Sequence, residues 1–256
     1  MKTLVVIPAR YASTCFPGKP LALLGGESIV SRVWKTAAAT VGAENAWVAT
    51  DDSRILDHVN TVAGREAAMM TSPNHRSGTD RCGETLGRLE ERSLDYDIVI
   101  NLQGDEPFVT PAQIKTLEAC FDDPAVQIAT LRTRILDTEE LLSPNNVKVV
   151  CASNGNALYF SRQPLPHRRG EDMAHWVEKG TYYKHVGIYA FRRDTLKEVC
   201  RLRPCPLEES ESLEQLRWLD AGYRIKVCDT EHANIGIDTP DDLRKAEEAL
   251  AANITN

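Results

Sequence analysis

The stretch LVVIPARYASTCFPGKP, from Leu4 to Pro20, decides the fold of this chain. Residues 5–7 are all β-branched, and such a run is typical of a strand that is buried on both faces of a parallel sheet. Since proline has no N–H to donate to a neighbouring strand, we expect this strand to end at Pro8. The polar loop that follows carries two cations, two hydroxyl groups and a glycine: Arg10, Lys19, Ser13, Thr14 and Gly18.

Loops at the carboxyl ends of strands collect the ligands of open α/β sheets. Cations, hydroxyls and a glycine-containing backbone suit the oxygens of a polyphosphate, although the same residues are also compatible with a basic surface loop. Neither G-x-x-x-x-G-K-[ST] nor G-x-G-x-x-G occurs, so the sequence indicates neither a P-loop ATPase nor a dinucleotide-binding unit. The loop predicts a nucleotide site of another kind.

Length, charge and cysteine content restrict the class of protein. A chain of 256 residues buries a large core, and its 42% hydrophobic and 26% charged residues are ordinary for a globular protein. The net charge of −7 argues against general binding of nucleic acid, whose phosphates require a basic surface. Seven cysteines without C-x-x-C spacing support neither a disulfide framework nor a zinc site. Without a signal pattern or an apolar run of ~18 residues, the expected location is the cytoplasm, with no membrane insertion.

Strand and helix patterns alternate through the first half with short connections, which is the signature of an α/β, doubly wound and mostly parallel sheet. Ser28 is the expected N-cap of the first helix, and Asp51 and Asp52 are expected to cap the second. The predicted helices are 28–39, 53–63, about 81–92 and 111–121, and the predicted strands are 46–50, 67–70, 98–102 and 127–133.

The second half has a different character. Asn154-Gly155 lies between two runs, 147–152 and 157–161, and predicts a β-hairpin of these two strands, while residues 163–183 have an irregular pattern. Strands are predicted over 183–191 and 224–229, a helix over 207–219 and a closing helix over 241–251. Because there are no repeats and no low-complexity linker, we interpret residues 1–256 as one domain, in which about 153–206 form a smaller β-rich subdomain.

Seven motifs occur along the chain in order: PARYAST-x-FPGKPL (8–21), SGTDR (77–81), NLQGDEP (101–107), ALYFSR-x-P (157–164), YKHVGIYAF (183–191), LEQLR (213–217) and GIDTPDDL (236–243). Together they resemble the 3-deoxy-manno-octulosonate cytidylyltransferase (CMP-Kdo synthetase) family over essentially the whole chain. The resemblance implies a Rossmann-like fold of the nucleotide-sugar transferase type, whose smaller subdomain serves sugar binding and dimerisation. It implies CTP and the acidic sugar Kdo as substrates, Mg²⁺ as cofactor, CMP-Kdo and pyrophosphate as products, a role in lipopolysaccharide biosynthesis, and a homodimer.

One position departs from the family pattern. Where the family has arginine, within STRFPGKP or STRLPGKP, this chain has Cys15. The resemblance implies that the arginine binds triphosphate oxygens and stabilises charge on the leaving pyrophosphate, whereas a thiol is a weak donor without a fixed positive charge. Reduced activity, compensation by a neighbouring cation and an introduced substitution are all open on sequence alone.

Three residues are predicted to act in catalysis: Lys19, Asp105 and Asp238. Both aspartates follow an apolar run and would therefore reach the carboxyl edge of the sheet, where one or two carboxylates suit Mg²⁺. In the family the matching aspartates hold Mg²⁺, and a bound metal can lower the pKa of the attacking sugar hydroxyl. The alternative is structural, with Asp105 forming a turn and Asp238 capping the last helix.

The resemblance also implies a set of nucleotide contacts: Pro8, Ala9, Arg10, Lys19, Ser77, Gly78 and Arg81. Arg10 and Lys19 are assigned to the phosphates. Hydroxyls and free N–H groups at a helix N-terminus can serve the acceptors of cytosine, and SGTDR is expected to supply them. Capping of that helix by Thr79 or Asp80 is the competing interpretation.

The sugar contacts implied by the resemblance are Gln103, Arg162, His185, Tyr189, Glu214 and Gln215. Arg162 matches the family's contact to the Kdo carboxylate. His185 and Tyr189 alternate onto one face of a strand, and Gly187 between them leaves room for a ligand. A structural histidine and a solvated helix face at 214–215 are the alternatives.

Other functions are compatible with parts of this pattern. CMP-sialate synthetase and amino-Kdo cytidylyltransferase have the same fold and differ in the sugar pocket. A nucleotide-binding homologue of low activity would follow from Cys15, although Lys19, Asp105 and Asp238 argue against it. A glycosyltransferase that consumes a nucleotide sugar would show an Asp-x-Asp metal motif, and none is clear at the expected strand end.

Overall fold

A computed structural model describes residues 1–12, 16–231, 236–237 and 239–254, apart from the side chains of 252–254. The chain divides into two compact units, Met1–Lys115 with Asn234–Asn256, and Thr116–Ala233. The predicted subdomain of about 153–206 falls within the second unit, and its boundaries stay a prediction. Over the described ranges, no helix combines the length and the apolar character that a membrane span requires.

The first unit is built on a parallel sheet. Its elements in chain order are β1 (Thr3–Ala9), β2 (Leu23–Leu24), β3 (Glu27–Ser28), α1 (Ile29–Val41), β4 (Ala46–Thr50), α2 (Ser53–Ala63), β5 (Ala68–Met70), α3 (Gly78–Glu91), β6 (Ile98–Asn101) and the start of α4 (Pro111–Ala119). The strands run in the order β6-β1-β4-β5, and each neighbouring pair is parallel. Residues 4–7 of β1 are fully buried, as a central strand covered on both faces requires.

The first strand continues one residue beyond its predicted end. Pro8 lies inside β1, opposite Ala49 of β4. On the other side of β1, Val6 O accepts from Leu102 N. Pro8 lies two residues after Val6, so its backbone faces that same side. Because β6 ends at Asn101, the missing N–H of Pro8 falls where the ladder has already stopped. The prediction that Pro8 ends the strand is therefore wrong by one residue.

Short polar side chains begin the first helices. Ser28 caps α1 by accepting from Ser31 N at 3.3 Å, and Asp52 caps α2 by accepting from Arg54 N at 2.9 Å. Both predicted caps are confirmed. Asp51 is not a cap, because its carboxylate accepts a hydrogen bond from Arg81 instead.

The second unit is richer in antiparallel pairs. It contains the end of α4, β7 (Ile128–Arg134), α5 (Thr138–Leu142), β8 (Lys148–Cys151), β9 (Ala157–Ser161), α6 (Trp176–Lys179), β10 (Tyr183–Arg192), α7 (Arg193–Val199), α8 (Pro206–Glu211), α9 (Gln215–Asp220) and β11 (Ile225–Asp229). Strand β7 pairs parallel with β11 and antiparallel with β10, while β8 and β9 form the predicted hairpin. Gly155 in its turn has φ of 79°, a conformation that favours glycine. The chain then closes in the first unit with α10 (Pro240–Ile254).

The predicted helix over 207–219 is wrong, because two helices occupy this stretch. Ser212 ends α8 with φ of 52°, in the left-handed region, and its N–H bonds to Glu208 O. The break is supported from outside the stretch, since Arg162 donates to the carbonyl oxygens of Glu211 and Ser212. A contact with a residue about fifty positions away is not visible in the local pattern.

The expected fold class is confirmed. The chain is α/β, and its parallel strand pairs join β1 to β4 and β6, β4 to β5, and β7 to β11. Helix α10 packs on the first unit through an apolar cluster in which Leu24, Ile29, Ile237 and Ala246 are fully buried. The carboxyl ends of β1 and β6 carry the loops described next.

Candidate active site

A cavity of about 350 Å³ opens at the carboxyl end of β1 in the first unit. Its lining includes these predicted nucleotide, catalytic and sugar residues: Pro8, Ala9, Arg10, Lys19, Gly78, Gln103 and Asp105. They come from the ends of β1 and β6, the start of α3 and the short 3-10 helix Lys19–Leu21. Predictions from separate motifs therefore converge on one cavity.

An ion pair stands at the centre of this cavity. Lys19 Nζ lies 2.7 Å from Asp105 Oδ2, and the two side chains are 10% and 33% exposed. Attraction between opposite charges strengthens as water is excluded, so the pair fixes both side chains. The carboxylate keeps a third of its surface open, which leaves it accessible to a ligand in the cavity.

The backbone around Asp105 is held against β1. A Cβ atom on Gly104 would lie 2.7 Å from Pro8 O, so only glycine permits this close approach. Asp105 O accepts from Ile237 N at 3.2 Å, which fixes the loop from the other side. Asp238, the second predicted carboxylate, lies outside the described residues, and its catalytic and metal-binding roles stay predictions.

The carboxylate of Asp105 is the described group on the cavity that suits a metal ion. Within the described part of the chain, no group of three or more His, Cys, Asp or Glu side chains is arranged to hold a metal. Asp105 offers a partly exposed carboxylate on the cavity, and Mg²⁺ commonly takes one or two such carboxylates and completes its coordination with waters and phosphates. The described residues therefore fit a cation that the substrate helps to bind, and they do not form a complete protein cage.

Arg10 supplies a second positive charge on the cavity. Its Nη2 donates to His75 O, which ties the end of β1 to the loop before α3. Partial burial and the neighbouring charge of Arg81 lower the pKa of the Arg10 guanidinium from its ordinary value. An arginine remains protonated at neutral pH, so Arg10 is a cation held ready for an anionic ligand.

The N-terminus of α3 lies beside the same strand end. Ser77 caps the helix, since its Oγ accepts from Asp80 N at 3.1 Å. The alternative of a cap at Thr79 or Asp80 is wrong, and the helix begins at Gly78, earlier than predicted. A Cβ on Gly78 would lie 3.3 Å from Pro8 Cγ, so glycine lets the helix start pack closely on β1. Hydrogen-bond donors at a helix start suit anionic or carbonyl acceptors.

Arg81 has a different environment from the predicted one. Its side chain is fully buried, and its guanidinium donates to Thr71 Oγ1 and to Asp51 Oδ2, the latter at 2.9 Å. It does not belong to the lining of the cavity. Arg81 is thus a buried cation whose charge acts on Arg10, and its direct contact with the nucleotide stays a prediction.

Asn101 is a residue of this site that the sequence analysis did not single out. Its Oδ1 accepts from Gln103 Nε2 at 3.2 Å, and its Nδ2 donates to Thr79 Oγ1 at 3.4 Å. It thus orients the predicted sugar residue Gln103 and links the end of β6 to α3. A polar residue that ends the apolar run IVIN was the available signal.

The predicted sugar residues His185 and Tyr189 meet on one face of β10 in the second unit. Their ring centroids lie 5.2 Å apart, although a bulge interrupts the pairing with β7 between Val186 and Tyr189. A Cβ atom on Gly187 would have no heavy atom within 4 Å. The predicted open space beside Gly187 is present.

His185 has a defined tautomer. Thr130 Oγ1 donates to Ile188 O at 2.8 Å, so its oxygen accepts from His185 Nε2, also at 2.8 Å. The proton therefore lies on Nε2, and Nδ1 is an acceptor. Burial lowers the pKa of His185 to about 3, so the ring is neutral near physiological pH. Nothing in the sequence identified Thr130 as its partner.

Tyr189 presents a buried hydroxyl group. The side chain is 8% exposed, and its Oη has no hydrogen-bond partner among the described residues. Burial, together with the charge of Glu214, raises the pKa of this phenol well above its ordinary value. The ring packs edge-on against Trp218 with centroids 4.9 Å apart. Buried hydroxyls normally have a hydrogen-bond partner, so a water molecule or a ligand can complete the hydrogen bonds of this one.

The remaining predicted sugar residues stand around α9. Glu214 precedes the helix, and its Oε1 lies 3.5 Å from Arg217 Nη2, while Gln215 is buried at 4% exposure. Arg162 donates to the carbonyl oxygens of Glu211, Ser212 and Pro144. Three of its five N–H groups are thereby used by the main chain, and its contact with a sugar carboxylate stays a prediction.

Comparisons with known proteins agree with this geometry. A family model described as Cytidylyltransferase matches residues 4–225. The 3-deoxy-manno-octulosonate cytidylyltransferases of Bacteroides thetaiotaomicron and Phocaeicola vulgatus are each 49% identical to this chain over 253 residues, with 98% of either chain covered. A solved structure of CMP:2-keto-3-deoxy-manno-octonic acid synthetase complexed with CTP has a TM-score of 0.87 at 41% identity, covering 99% of this chain and 100% of that one. The chain therefore belongs to the 3-deoxy-manno-octulosonate cytidylyltransferase family.

Proposed function

We propose that this chain transfers the cytidylyl group of CTP to Kdo and releases pyrophosphate. The observation that carries the proposal is the cavity at the end of β1, where Lys19 and Asp105 form an ion pair and Arg10 adds a second cation. Family membership supports this assignment, because the relatives that cover nearly the whole chain carry this activity in their names. The sialate and amino-Kdo alternatives have no comparable support.

The described residues act mainly by binding and orientation. In the reaction a hydroxyl oxygen of Kdo attacks the α-phosphorus of CTP, and the bond to the leaving pyrophosphate breaks. Such a transfer depends on in-line positioning and on neutralisation of the phosphate charge. Arg10 and Lys19 are placed to balance the triphosphate and the charge that develops on pyrophosphate. The start of α3, capped by Ser77, supplies polar groups for the base.

We also propose Mg²⁺ as the cofactor. Asp105 is the described residue that would hold it, and Asp238 is the predicted second ligand. When bound, the ion lowers the pKa of the attacking hydroxyl and neutralises phosphate charge. The support is the partly exposed carboxylate of Asp105 on the cavity. Removal of divalent cations with a chelator is expected to abolish turnover, and restoration by Mg²⁺ in excess of the chelator checks this.

In the second unit, His185 Nδ1 offers an acceptor and Tyr189 Oη offers a donor to a polyhydroxylated ligand. The open space beside Gly187 admits such a ligand. Complementary donors and acceptors in a partly apolar surface are typical of sites that bind small polar molecules. We therefore propose that this face of β10 contacts the sugar.

The test is the release of pyrophosphate from CTP with Kdo, compared with N-acetylneuraminate and the 8-amino analogue of Kdo. We expect Kdo to be the preferred substrate. Lys19→Met is expected to lower kcat/KM about 10²–10³-fold, which is the usual effect of losing a preorganised charge contact at a reacting centre. Lys35→Met is the matched control, because Lys35 is 57% exposed and pairs with Glu27 away from the cavity lining. Folded protein that binds CTP but is inactive with Kdo would refute the proposal.

Cys15→Arg restores the arginine of the family pattern and belongs in the same assay. A faster arginine variant would place position 15 at the triphosphate, and equal rates would mean that Arg10 and Lys19 suffice. Cys15 itself lies outside the described residues.

We propose a homodimer located in the cytoplasm. The support for the dimer is an apolar surface in the second unit, where Leu136, Leu142 and Met173 are 75%, 44% and 41% exposed. Large exposed apolar side chains on neighbouring elements are typical of interaction surfaces. Light scattering coupled to size-exclusion chromatography is expected to give twice the chain mass, and Leu136→Glu with Leu142→Glu is expected to give the monomer.

A further inference from the structure

Two cysteines of the second unit lie in contact. Cys120 begins the 3-10 helix Cys120–Asp122, Cys228 lies in β11, and their Sγ atoms are 2.9 Å apart. Both side chains are partly exposed, and both thiols are free. Cys120 Sγ also lies 3.3 Å from Thr116 O. A disulfide requires a separation of about 2.05 Å, so the sulfurs need to approach by only about 0.9 Å.

The surroundings favour a thiolate at Cys228. Lys226 and Cys228 lie two residues apart and therefore on the same face of β11. The hydrogen bond with Cys120, together with the charges of Lys226 and Arg132, lowers the pKa of Cys228 to about 7, although burial and Asp229 act in the opposite direction. The same contact raises the pKa of Cys120. A single proton shared between the two sulfurs leaves one of them as the nucleophile.

A small cavity opens beside this face of β11. Its volume is about 210 Å³, and Asp123, Arg224 and Lys226 contribute to its lining. Asp123 follows the 3-10 helix that Cys120 begins, and Lys226 lies two residues before Cys228 on the same face. Neither cysteine belongs to this lining, so a molecule as small as hydrogen peroxide reaches the pair through the partly exposed side chains themselves.

We propose that Cys120 and Cys228 are a modification site that is oxidised to a disulfide by hydroperoxides. The Cys228 thiolate attacks one peroxide oxygen, the O–O bond breaks, and Cys228 becomes a sulfenic acid. Cys120 sulfur then attacks Cys228 Sγ, the S–O bond breaks, and water leaves. Two thiols together lose two protons and two electrons, and hydrogen peroxide is reduced to two waters. A dithiol reductant reverses the change by thiol–disulfide exchange.

Cys151 provides a matched control. It lies at the end of β8, is partly exposed like the pair, and is also influenced by Arg132 and Asp229. Its thiol differs from that of Cys228 in that its pKa is raised overall, chiefly by burial, and no hydrogen bond to another cysteine is described for it. A reaction that depends on the thiol pair therefore spares Cys151, whereas indiscriminate oxidation does not.

The experiment treats the folded, full-length protein with hydrogen peroxide and blocks the remaining thiols with N-ethylmaleimide. Mass spectrometry of a non-reduced digest is expected to show one peptide pair linked through positions 120 and 228, lighter by about 2 Da, that dithiothreitol separates. The link closes a span of 108 residues, so the thermal midpoint is expected to rise by at least about 5 °C on oxidation.

Cys120→Ser and Cys228→Ser are each expected to lose the linked peptide and the thermal shift, while Cys151→Ser retains both. If a serine variant does not fold by circular dichroism, the corresponding alanine variant replaces it. Wild-type protein in which Cys228 is oxidised to sulfenic or sulfinic acid without a link to Cys120 would overturn the proposal. A link that disappears in Cys151→Ser would overturn it as well.

Discussion

The buried pair of Arg81 and Asp51 permits a quantitative test of the structure. Arg81 is fully buried and its Nη2 lies 2.9 Å from Asp51 Oδ2, whereas the Asp51 side chain is 18% exposed. A charge-assisted hydrogen bond contributes about 1.5–3 kcal/mol, and an uncompensated buried charge raises the loss to about 3–5 kcal/mol. Loss of the Asp51 carboxylate therefore leaves a buried charge without its partner, whereas loss of Arg81 leaves a carboxylate that still reaches water.

We expect Asp51→Asn to lower the free energy of unfolding by about 3 kcal/mol, because the orphaned guanidinium of Arg81 cannot regain water. Arg81→Met is expected to cost about 2 kcal/mol, since the partly exposed Asp51 carboxylate can be rehydrated. Thr71 also keeps a hydrogen bond, from its Oγ1 to Thr50 O. The double variant is expected to lose about 3 kcal/mol, which gives a coupling energy of about 2 kcal/mol.

Urea denaturation followed by circular dichroism measures these values, at about 0.1 M and about 1 M salt. Asp52→Asn is the matched control, because Asp52 pairs with the 57%-exposed Arg54 and asparagine is also a good N-cap. Its cost is expected to stay below about 1 kcal/mol and to fall with salt, whereas the Asp51 cost does not. If Arg81→Met were as stable as wild type while the KM for CTP rose about tenfold, Arg81 would be a nucleotide contact and the buried-pair argument would fail.

Three further predictions concern the site and its supports. The pKa of His185 is about 3 in the folded protein and about 6.5 in the unfolded chain, so the stability that the neutral ring contributes is full above pH 6.5 and is lost as the pH falls towards 3. Between about pH 7 and about pH 5, urea titrations are expected to show that wild type loses up to about 2 kcal/mol more than His185→Gln. Equal losses contradict this. Gly187→Ala is expected to keep the wild-type Tm but to raise the KM for Kdo about tenfold, because the new methyl group enters the open space. Gly104→Ala is expected to lower the Tm by several degrees, because its Cβ would lie 2.7 Å from Pro8 O. The reverse pattern in calorimetry and kinetics would refute both placements. Ser77→Ala is expected to cost about 1 kcal/mol in urea denaturation and Ser77→Thr much less, and equal values would show that the cap of α3 is unimportant.

Much of the fold was predictable because short-range physics decides it. The strands Ala46–Thr50 and Ala157–Ser161 have the predicted bounds, since each is an apolar run closed by turn residues. Ser28 and Asp52 were recognised as caps for the same reason. The positions of Lys19 and Asp105 followed from the rule that loops at strand ends collect ligands.

The errors come from contacts between distant parts of the chain. Pro8 stays in β1 because β6 has already ended at Asn101, which no local pattern reveals. Arg81 belongs to the motif SGTDR, yet its partner Asp51 lies thirty positions earlier, and the motif does not reveal this contact. A buried side chain chooses its partner in three dimensions, and sequence spacing carries little of that information.

The ion pair of Lys19 and Asp105 has a consequence for the order of loading. Within this pair each charge is balanced by the other at 2.7 Å, so the ammonium and the carboxylate need no counter-ion from solution, and Arg10 carries the remaining positive charge of the lining. An anion that attracts the Lys19 ammonium frees an oxygen of Asp105, and a cation that takes this oxygen frees the ammonium. Binding is therefore an exchange of partners, and each ligand strengthens the binding of the other by the same factor.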